Sequence, residues 1–136
     1  MAARSKARKR ALDILFESEA RDVAASVVLD ERVTAGDPPT NEYTASLVRG
    51  VAENSARIDE LLASYAQGWS LERMPAVDRN VLRIGVYENL YVDDVPDAVA
   101  VSEALSLVRE LSTDESPTFV NGVLGNILRN KPALSA

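Results

Sequence analysis

The sequence predicts an all-α protein, a compact helical bundle of about six or seven helices joined by short loops. Apolar residues recur at spacings of three and four along most of the chain, and no stretch shows the alternation typical of a half-buried strand. Proline, glycine and capping residues separate these apolar stretches. The 136 residues suit one domain, over 1–136, with its own apolar core.

The first two helices are predicted over residues 4–20 and 23–33. In the first, Ala11, Ile14 and Leu15 follow helical spacing, and Leu12 and Phe16 widen their apolar stripe. The Gly-Asp-Pro-Pro cluster at 36–39 then breaks the chain.

Thr40 is the predicted N-cap of the next helical stretch, which Gly68 closes. One apolar stripe runs through this stretch of more than 20 residues. Two organisations are open. It forms one long helix, or two helices with a break near Asn54 and Ser55.

Three more helices follow a short helical turn at 70–74. The first begins at Pro75 and ends near Leu90, the second spans about 98–111, and the third begins at Ser116-Pro117 and ends before Pro132. The residues predicted to face inward in the first two are Val77, Val81, Ile84, Tyr87, Val101, Ala104, Leu105 and Val108.

Composition argues against an enzyme. The chain has no Cys and no His, which excludes disulfides, thiol nucleophiles, serine-type triads and zinc sites built on those residues. The acids at 93, 94 and 97 lack the spacing of a calcium loop, and no phosphate-cradling loop occurs. We therefore predict no catalytic residue, no metal and no cofactor. The chain also lacks an apolar run long enough to span a membrane or to act as a signal peptide, so we expect a cytoplasmic protein.

Positive charge is concentrated at the N-terminus. The first ten residues carry five cations and no acid, whereas the other 126 carry 10 basic and 21 acidic residues. Cations at a helix N-terminus oppose the helix dipole, so stability alone does not explain them. We interpret the segment as a basic arm that presents cations to the phosphates of a nucleic acid. The alternative is a frayed, solubilising tail. The cations are Arg4, Lys6, Arg8, Lys9 and Arg10.

Two other segments each allow two interpretations. In residues 119–124, Phe119 is a core residue or stacks on a base. Gly122 destabilises a helix by about 1 kcal/mol relative to alanine, so its presence there predicts that another part of the chain packs closely against it. In residues 77–88, the polar side chains form a solvated face or a docking surface for a protein. Trp69, which follows Gly68, is interpreted as the anchor of a helix junction.

Six segments, in this order and spacing, resemble the NusB family of bacterial transcription antitermination factors, and the resemblance covers nearly the whole chain. They are 7–16 (ARKRALDILF), 47–51 (LVRGV), 77–88 (VDRNVLRIGVYE), 95–96 (VP), 99–104 (VAVSEA) and 119–124 (FVNGVL).

The resemblance implies a fold of about seven helices without catalysis. It implies binding of a boxA-type RNA element in nascent rRNA leader transcripts, together with the small-subunit ribosomal protein that doubles as NusE. The pair loads the RNA onto an RNA polymerase complex with other Nus factors. Carried over, RNA would meet the arm, Phe16, Thr118 and Phe119, and the ribosomal protein would face Asp78, Arg79 and Arg83.

Two departures from the family pattern weaken the expected RNA contact. Phe16 stands where the family often has Tyr, and Thr118 stands where a basic residue is common. Some family members homodimerise, which is a further expectation. Two other functions are open: a protein-only assembly module, and the RNA-recognition domain of an rRNA cytosine methyltransferase. Neither a methyl-transfer domain nor the nucleophilic Cys of such enzymes is found in these 136 residues.

Overall fold

The computed structural model describes residues 2–36, 40–66 and 68–134, and in these ranges all regular structure is helical, which confirms the all-α prediction. The chain divides into two units, residues 1–54 and 55–136. The first unit contains α1 (Ala2–Arg21), α2 (Ala25–Ala35) and α3 (Glu42–Glu53). The second contains α4 (Ser55–Tyr65), a 3₁₀ turn (Leu71–Arg73), α5 (Ala76–Tyr91), α6 (Asp97–Leu111), α7 (Ser116–Arg129) and α8 (Lys131–Leu134).

In the first unit, α1 packs against both α2 and α3. The predicted stripe of α1 is buried except for Phe16, which is 43% exposed. Gly36 ends α2 with a left-handed backbone, φ 66°, while the rest of the predicted break, 37–39, lies outside the described residues. The N-cap of α3 is Asn41 rather than Thr40, because the Asn41 side chain accepts a hydrogen bond from the Tyr43 backbone N–H at 2.7 Å.

The long third stretch is two helices, so the broken alternative is the correct one. Asn54 ends α3, and its side-chain amide donates to the Gly50 carbonyl at 2.8 Å. This bond satisfies one of the carbonyls that a helix end leaves unpaired. The second helix begins at Ser55, where the sequence placed it.

In the second unit, α5 packs against α4, α6 and α7. α7 comes close to α5 at Gly85, where an added Cβ would lie 3.0 Å from a methyl group of Leu124. Glycine thus lets α7 lie tightly on α5.

The predicted inward face of α6 is rotated from the observed one. Val101 and Leu105 are only half-buried, whereas the buried residues are Ala100, Ala104, Leu107 and Val108. The α5 residues Val77 and Tyr87 are likewise half-buried. An apolar residue at the edge of a stripe has the same periodicity as one at its centre, so the pattern alone misplaces the face by one position.

The helix that begins at Ser116 ends before Pro132, as predicted, but Pro132 is not the residue that stops it. α7 ends at Arg129 with Asn130 as its C-cap, and Pro132 lies in the first turn of α8. Proline is accepted there because the first turn of a helix has no intrahelical partner for its N–H groups. Across the described ranges, no helix is both long and apolar enough to cross a membrane.

Candidate nucleic-acid interface

The basic arm is the start of α1, and its cations differ in exposure. Lys6 and Lys9 are exposed and Arg10 is half-buried, but Arg8 is only 3% exposed. The expectation that the first turns present all five cations to solvent is therefore wrong for Arg8. A frayed tail is also excluded from Ala7 onward, because Ala7 is buried in the first unit.

Tyr43 of α3 explains how two of these cations are held. The Arg4 guanidinium lies over the Tyr43 ring at 4.3 Å from its centroid, and that of Arg8 lies over it at 5.6 Å. The next residue, Thr44, donates from its hydroxyl to the buried Ala7 carbonyl at 3.0 Å. Sequence reasoning placed Tyr43 in a core stripe and missed this role, because no local pattern links residues almost 40 positions apart.

Five of the six cations of α1 lie in its first half. Beyond it, Glu17 pairs with both Arg21 and Arg32 at 2.6 Å, and Arg21 also pairs with Glu31. Hydrogen bonds from Arg32 and then Arg21 hold the pKa of Glu17 below its usual value. The exposed Phe16 lies one residue before this network, at the border between the basic and the neutralised parts of the helix.

The second unit contains an aromatic cleft, formed by Trp69 and Phe119. Their ring centroids are 5.9 Å apart, the ring planes are tilted by 59°, and Trp69 is 49% exposed. The rings border a cavity of about 330 Å³. Its other lining residues are Arg73, Pro75, Asp78, Thr113, Glu115 and Ser116. The sequence indicated Phe119 as a stacking candidate but not its neighbour Trp69, which lies 50 positions away.

Asp78 lies beside this cleft and is buried. Its carboxylate accepts hydrogen bonds from the Ser112 hydroxyl at 2.6 Å and the Ser116 hydroxyl at 2.9 Å. The sequence predicted Ser116 as the N-cap of α7, and that prediction is wrong. Glu115 holds that position, and the Ser116 hydroxyl is used by Asp78 and by the Thr113 N–H at 3.2 Å. We call Asp78, Ser112 and Ser116 the carboxylate clasp, because they join α5 to the α6–α7 loop.

The solvated-face interpretation of residues 77–88 is wrong for Asp78, Asn80 and Glu88, which are all buried. Helical spacing placed them beside the apolar stripe, but α5 is covered by three other helices, so its polar flanks are buried too.

The other two residues predicted to meet a partner protein also have bonds within the unit. Arg79 donates to the backbone carbonyls of Leu71 and Met74 at 2.7 and 2.9 Å. Arg83 forms a two-point pair with Asp59 at 2.9 and 3.1 Å. Both arginines are half-buried, so each also retains accessible surface.

The outer face of α7 is open. Thr118, Asn121 and Gly122 are exposed, and an added Cβ at Gly122 would meet no atom within 4 Å. The predicted close packing at Gly122 is therefore wrong, and the tight contact belongs to Gly85.

The structure thus forms two groups of candidate residues. Arg4 and Arg8 share the Tyr43 ring in the first unit, while Phe119 and Asp78 line one cavity in the second. Acidic residues do not gather into a possible metal site within the described ranges. One of the loop acids considered as a ligand, Asp97, instead pairs with Lys131 at 2.9 Å.

Comparison with known proteins identifies the relatives of this chain. The model of the NusB family matches residues 5–129. A transcription antitermination protein NusB from Nocardioides sp. (strain ATCC BAA-499 / JS614) is 69% identical, over 99% of this chain and 100% of the relative. The NusB of Thermobifida fusca (strain YX) is 57% identical, over 97% and 93% of the two chains.

Solved structures give the same answer for the fold. A NusB of T. maritima superimposes with a TM-score of 0.83 at 36% identity, covering 93% of this chain and 90% of that one. The antitermination factors NusB and NusE, solved in complex with double-stranded RNA, match with a TM-score of 0.83 at 26% identity, covering 95% of this chain and 98% of the matched one.

Proposed function

The chain belongs to the NusB family, and we propose that it is a transcription antitermination factor that binds a boxA-type RNA in nascent rRNA leaders. The ribosomal protein NusE is its partner, and the pair loads the RNA onto RNA polymerase with other Nus factors. The solved NusB–NusE complex with RNA supports this function by its similarity to the fold of this chain. The observation that carries the proposal is the cation-rich start of α1, packed in place on an otherwise acidic chain.

We assign phosphate contacts to the exposed cations Lys6 and Lys9 and to the half-buried Arg4 and Arg10. Each phosphate neutralised by a cation releases bound counterions, so affinity should fall as salt rises. The buried Arg8 is not assigned a phosphate contact, because only 3% of its surface is exposed.

We assign base contacts to exposed aromatic groups. Phe16 on α1 and Trp69 of the aromatic cleft are exposed, and Phe119 is half-buried beside Trp69. Stacking on such rings suits single-stranded RNA, whose bases are not paired. Thr118, exposed one residue before Phe119, supplies a hydroxyl beside the cleft.

We place the ribosomal protein on the α5 surface that includes the half-buried Arg79 and Arg83. Asp78 acts there by holding the carboxylate clasp, since its own carboxylate is out of reach of a partner. No chemical step is part of this function, and transcription in bacteria places it in the cytoplasm. The alternative, a protein-only assembly module, keeps this surface and discards the RNA contacts.

Fluorescence anisotropy of a labelled boxA-type RNA, titrated at several salt concentrations with and without NusE, tests the proposal. The test variant is Lys6→Gln/Lys9→Gln/Arg10→Gln, and the matched control is Arg57→Gln/Arg109→Gln/Arg129→Gln, which removes three exposed cations elsewhere. About three lost phosphate contacts should flatten the log–log salt slope by roughly 2, since each is worth about 0.7 on single strands.

The expected result is a flatter slope in the arm variant, an unchanged slope in the control, and weaker binding of a scrambled RNA. Equal slopes in all three proteins, with no preference over scrambled RNA even when NusE is present, would support the assembly module instead.

A further inference from the structure

We propose that Tyr43 is the positioning residue of the basic arm. Its ring fixes Arg4 and Arg8 on α3 and thereby presets the arm for a polyanion. The inference rests on the proposed RNA function and adds to it a residue that neither the charge pattern nor the family segments indicate.

Hydrogen bonds of the two residues Asn41 and Thr44 fix the helices around Tyr43. Asn41 caps α3 and binds the Tyr43 backbone N–H at 2.7 Å, which sets where the helix begins. Thr44 then holds α1 through the Ala7 carbonyl at 3.0 Å. Between these two anchors, the Tyr43 ring meets the guanidinium groups of Arg4 and Arg8, one helical turn apart on α1.

An aromatic ring is suited to this position. Cations at a helix N-terminus are repelled by the helix dipole and by one another, so the first turns of α1 need an opposing attraction. A carboxylate would supply it but would cancel the charge that RNA is to meet. The negative face of an aromatic ring attracts a guanidinium without adding a net charge. Tyr43 therefore orders the arginines without adding a negative charge of its own.

Ordering before binding is the functional consequence. A flexible arginine loses rotamer freedom when it is fixed on a phosphate, and that loss reduces affinity. With the Arg4 side chain already lying over the ring, less freedom remains to be lost. The half-buried Tyr43 thus acts on RNA through Arg4 without touching the RNA itself.

Two substitutions separate the ring from the bulk of the side chain. Tyr43→Phe keeps the ring face, whereas Tyr43→Leu keeps an apolar side chain without it, with Tyr43→Met as the second variant should the leucine protein fail to fold. Tyr91→Leu, at an exposed tyrosine of the second unit, is the matched control. Each protein is checked for unchanged helix content by circular dichroism.

Two measurements are then made. In the free protein, ring-current shifts of the Arg4 δ-protons should be upfield in the wild type and in Tyr43→Phe, and lost in Tyr43→Leu. With boxA-type RNA, we expect Tyr43→Leu to bind about three- to tenfold more weakly, the range expected when one flexible side chain has to be ordered on binding. Its salt slope should be flatter by about 0.7, one phosphate contact, while Tyr43→Phe and Tyr91→Leu retain both values.

The outcomes are distinguishable. A folded Tyr43→Leu protein with wild-type RNA affinity and slope would overturn the positioning role and leave the proposed function standing. Wild-type protein that shows no salt-dependent RNA binding would overturn the proposed function and the positioning role together. Equal weakening in Tyr43→Phe and Tyr43→Leu, with an unchanged slope, would make Tyr43 a purely structural residue.

Discussion

The two units support their candidate RNA-contacting groups with opposite chemistry. In the first unit an aromatic ring, Tyr43, lies beneath two cations. In the second unit an anion, Asp78, is buried beside two aromatic rings, Trp69 and Phe119. Each support differs in kind from the group it supports: the ring adds no negative charge beside the arginines, and the buried carboxylate is bound to hydroxyl groups beside the aromatic rings.

The C-terminal end of α1 shows arginines that are held by carboxylates instead of by an aromatic ring. There Arg21 and Arg32 are paired with Glu17 and Glu31, and their charge is cancelled locally. Arg4 and Arg21, on the same helix, thus have different neighbours: an aromatic ring lies beside Arg4 and carboxylates lie beside Arg21. The comparison predicts that the first unit governs the salt dependence of RNA binding, while the aromatic cleft of the second unit contributes stacking that is independent of salt.

The largest expected effect comes from removing the carboxylate clasp. Asp78→Ala deletes the acceptor of two hydrogen bonds and leaves the buried Ser116 hydroxyl without it. We expect the free energy of unfolding to fall by about 3 kcal/mol, since bonds to a charged acceptor are the strong ones. Urea unfolding followed by circular dichroism measures this. A loss below about 1 kcal/mol would show that the clasp is not a major support of the α6–α7 loop. The same data test the single-domain prediction over 1–136, which requires one cooperative transition.

Trp69→Ala should weaken RNA binding by about tenfold with no change in salt slope. Stacking of a base on an aromatic side chain is worth about 1–3 kcal/mol and involves no counterion release. Anisotropy titrations give both numbers, and Trp69→Phe should retain most of the affinity. A change of slope in the alanine variant would contradict the division of roles between the two units.

A pair of glycine substitutions should separate an open surface from a packed one. Gly122→Ala should raise the free energy of unfolding by about 0.5–1 kcal/mol, because alanine favours a helix and its methyl group meets no neighbour. Gly85→Ala should instead lower it by about 1 kcal/mol, since its methyl group would press on the buried Leu124. Thermal or urea unfolding checks both. A stability gain in Gly85→Ala would show that the α5–α7 contact has room for an additional methyl group.

The smallest effect concerns the ion pairs at the end of α1. Arg21 is the main cause of the lowered pKa of Glu31, so Arg21→Gln should return that pKa towards its ordinary value of 4.5. A carboxylate with a lowered folded-state pKa adds stability above pH 4.5, and that stability disappears as pH falls through the lowered value. The exposed position makes the contribution slight. Carboxyl titration by NMR measures the shift, and an unchanged Glu31 pKa in the variant would refute the pairing.

Much of the fold follows from local patterns. The order of the helices, the break at Asn54 and the short turn before α5 all depend on periodicity and on capping residues that act within a few positions. Errors arose where a choice depends on neighbours far along the chain. Ser116 has the sequence features of an N-cap, but Asp78, 38 positions earlier, takes its hydroxyl.

The cations of the candidate site were predictable from the sequence, but the residues that hold the site in place were not. Five cations within ten residues are visible in any reading of the sequence, and so is the aromatic Phe119. Their partners are not, because Tyr43 and Trp69 look like ordinary apolar positions until the helices pack. The burial of Arg8 was not predictable either, because its charge suggested exposure, whereas its side chain is buried.

The single tryptophan of the chain is in the aromatic cleft, half-exposed and beside Phe119. Indole fluorescence from this protein therefore originates entirely at one candidate ligand site. A base that stacks on Trp69 would quench that emission, and the first unit contains no tryptophan that would add to it. The protein thus carries its own label, and an unmodified RNA can be titrated against it.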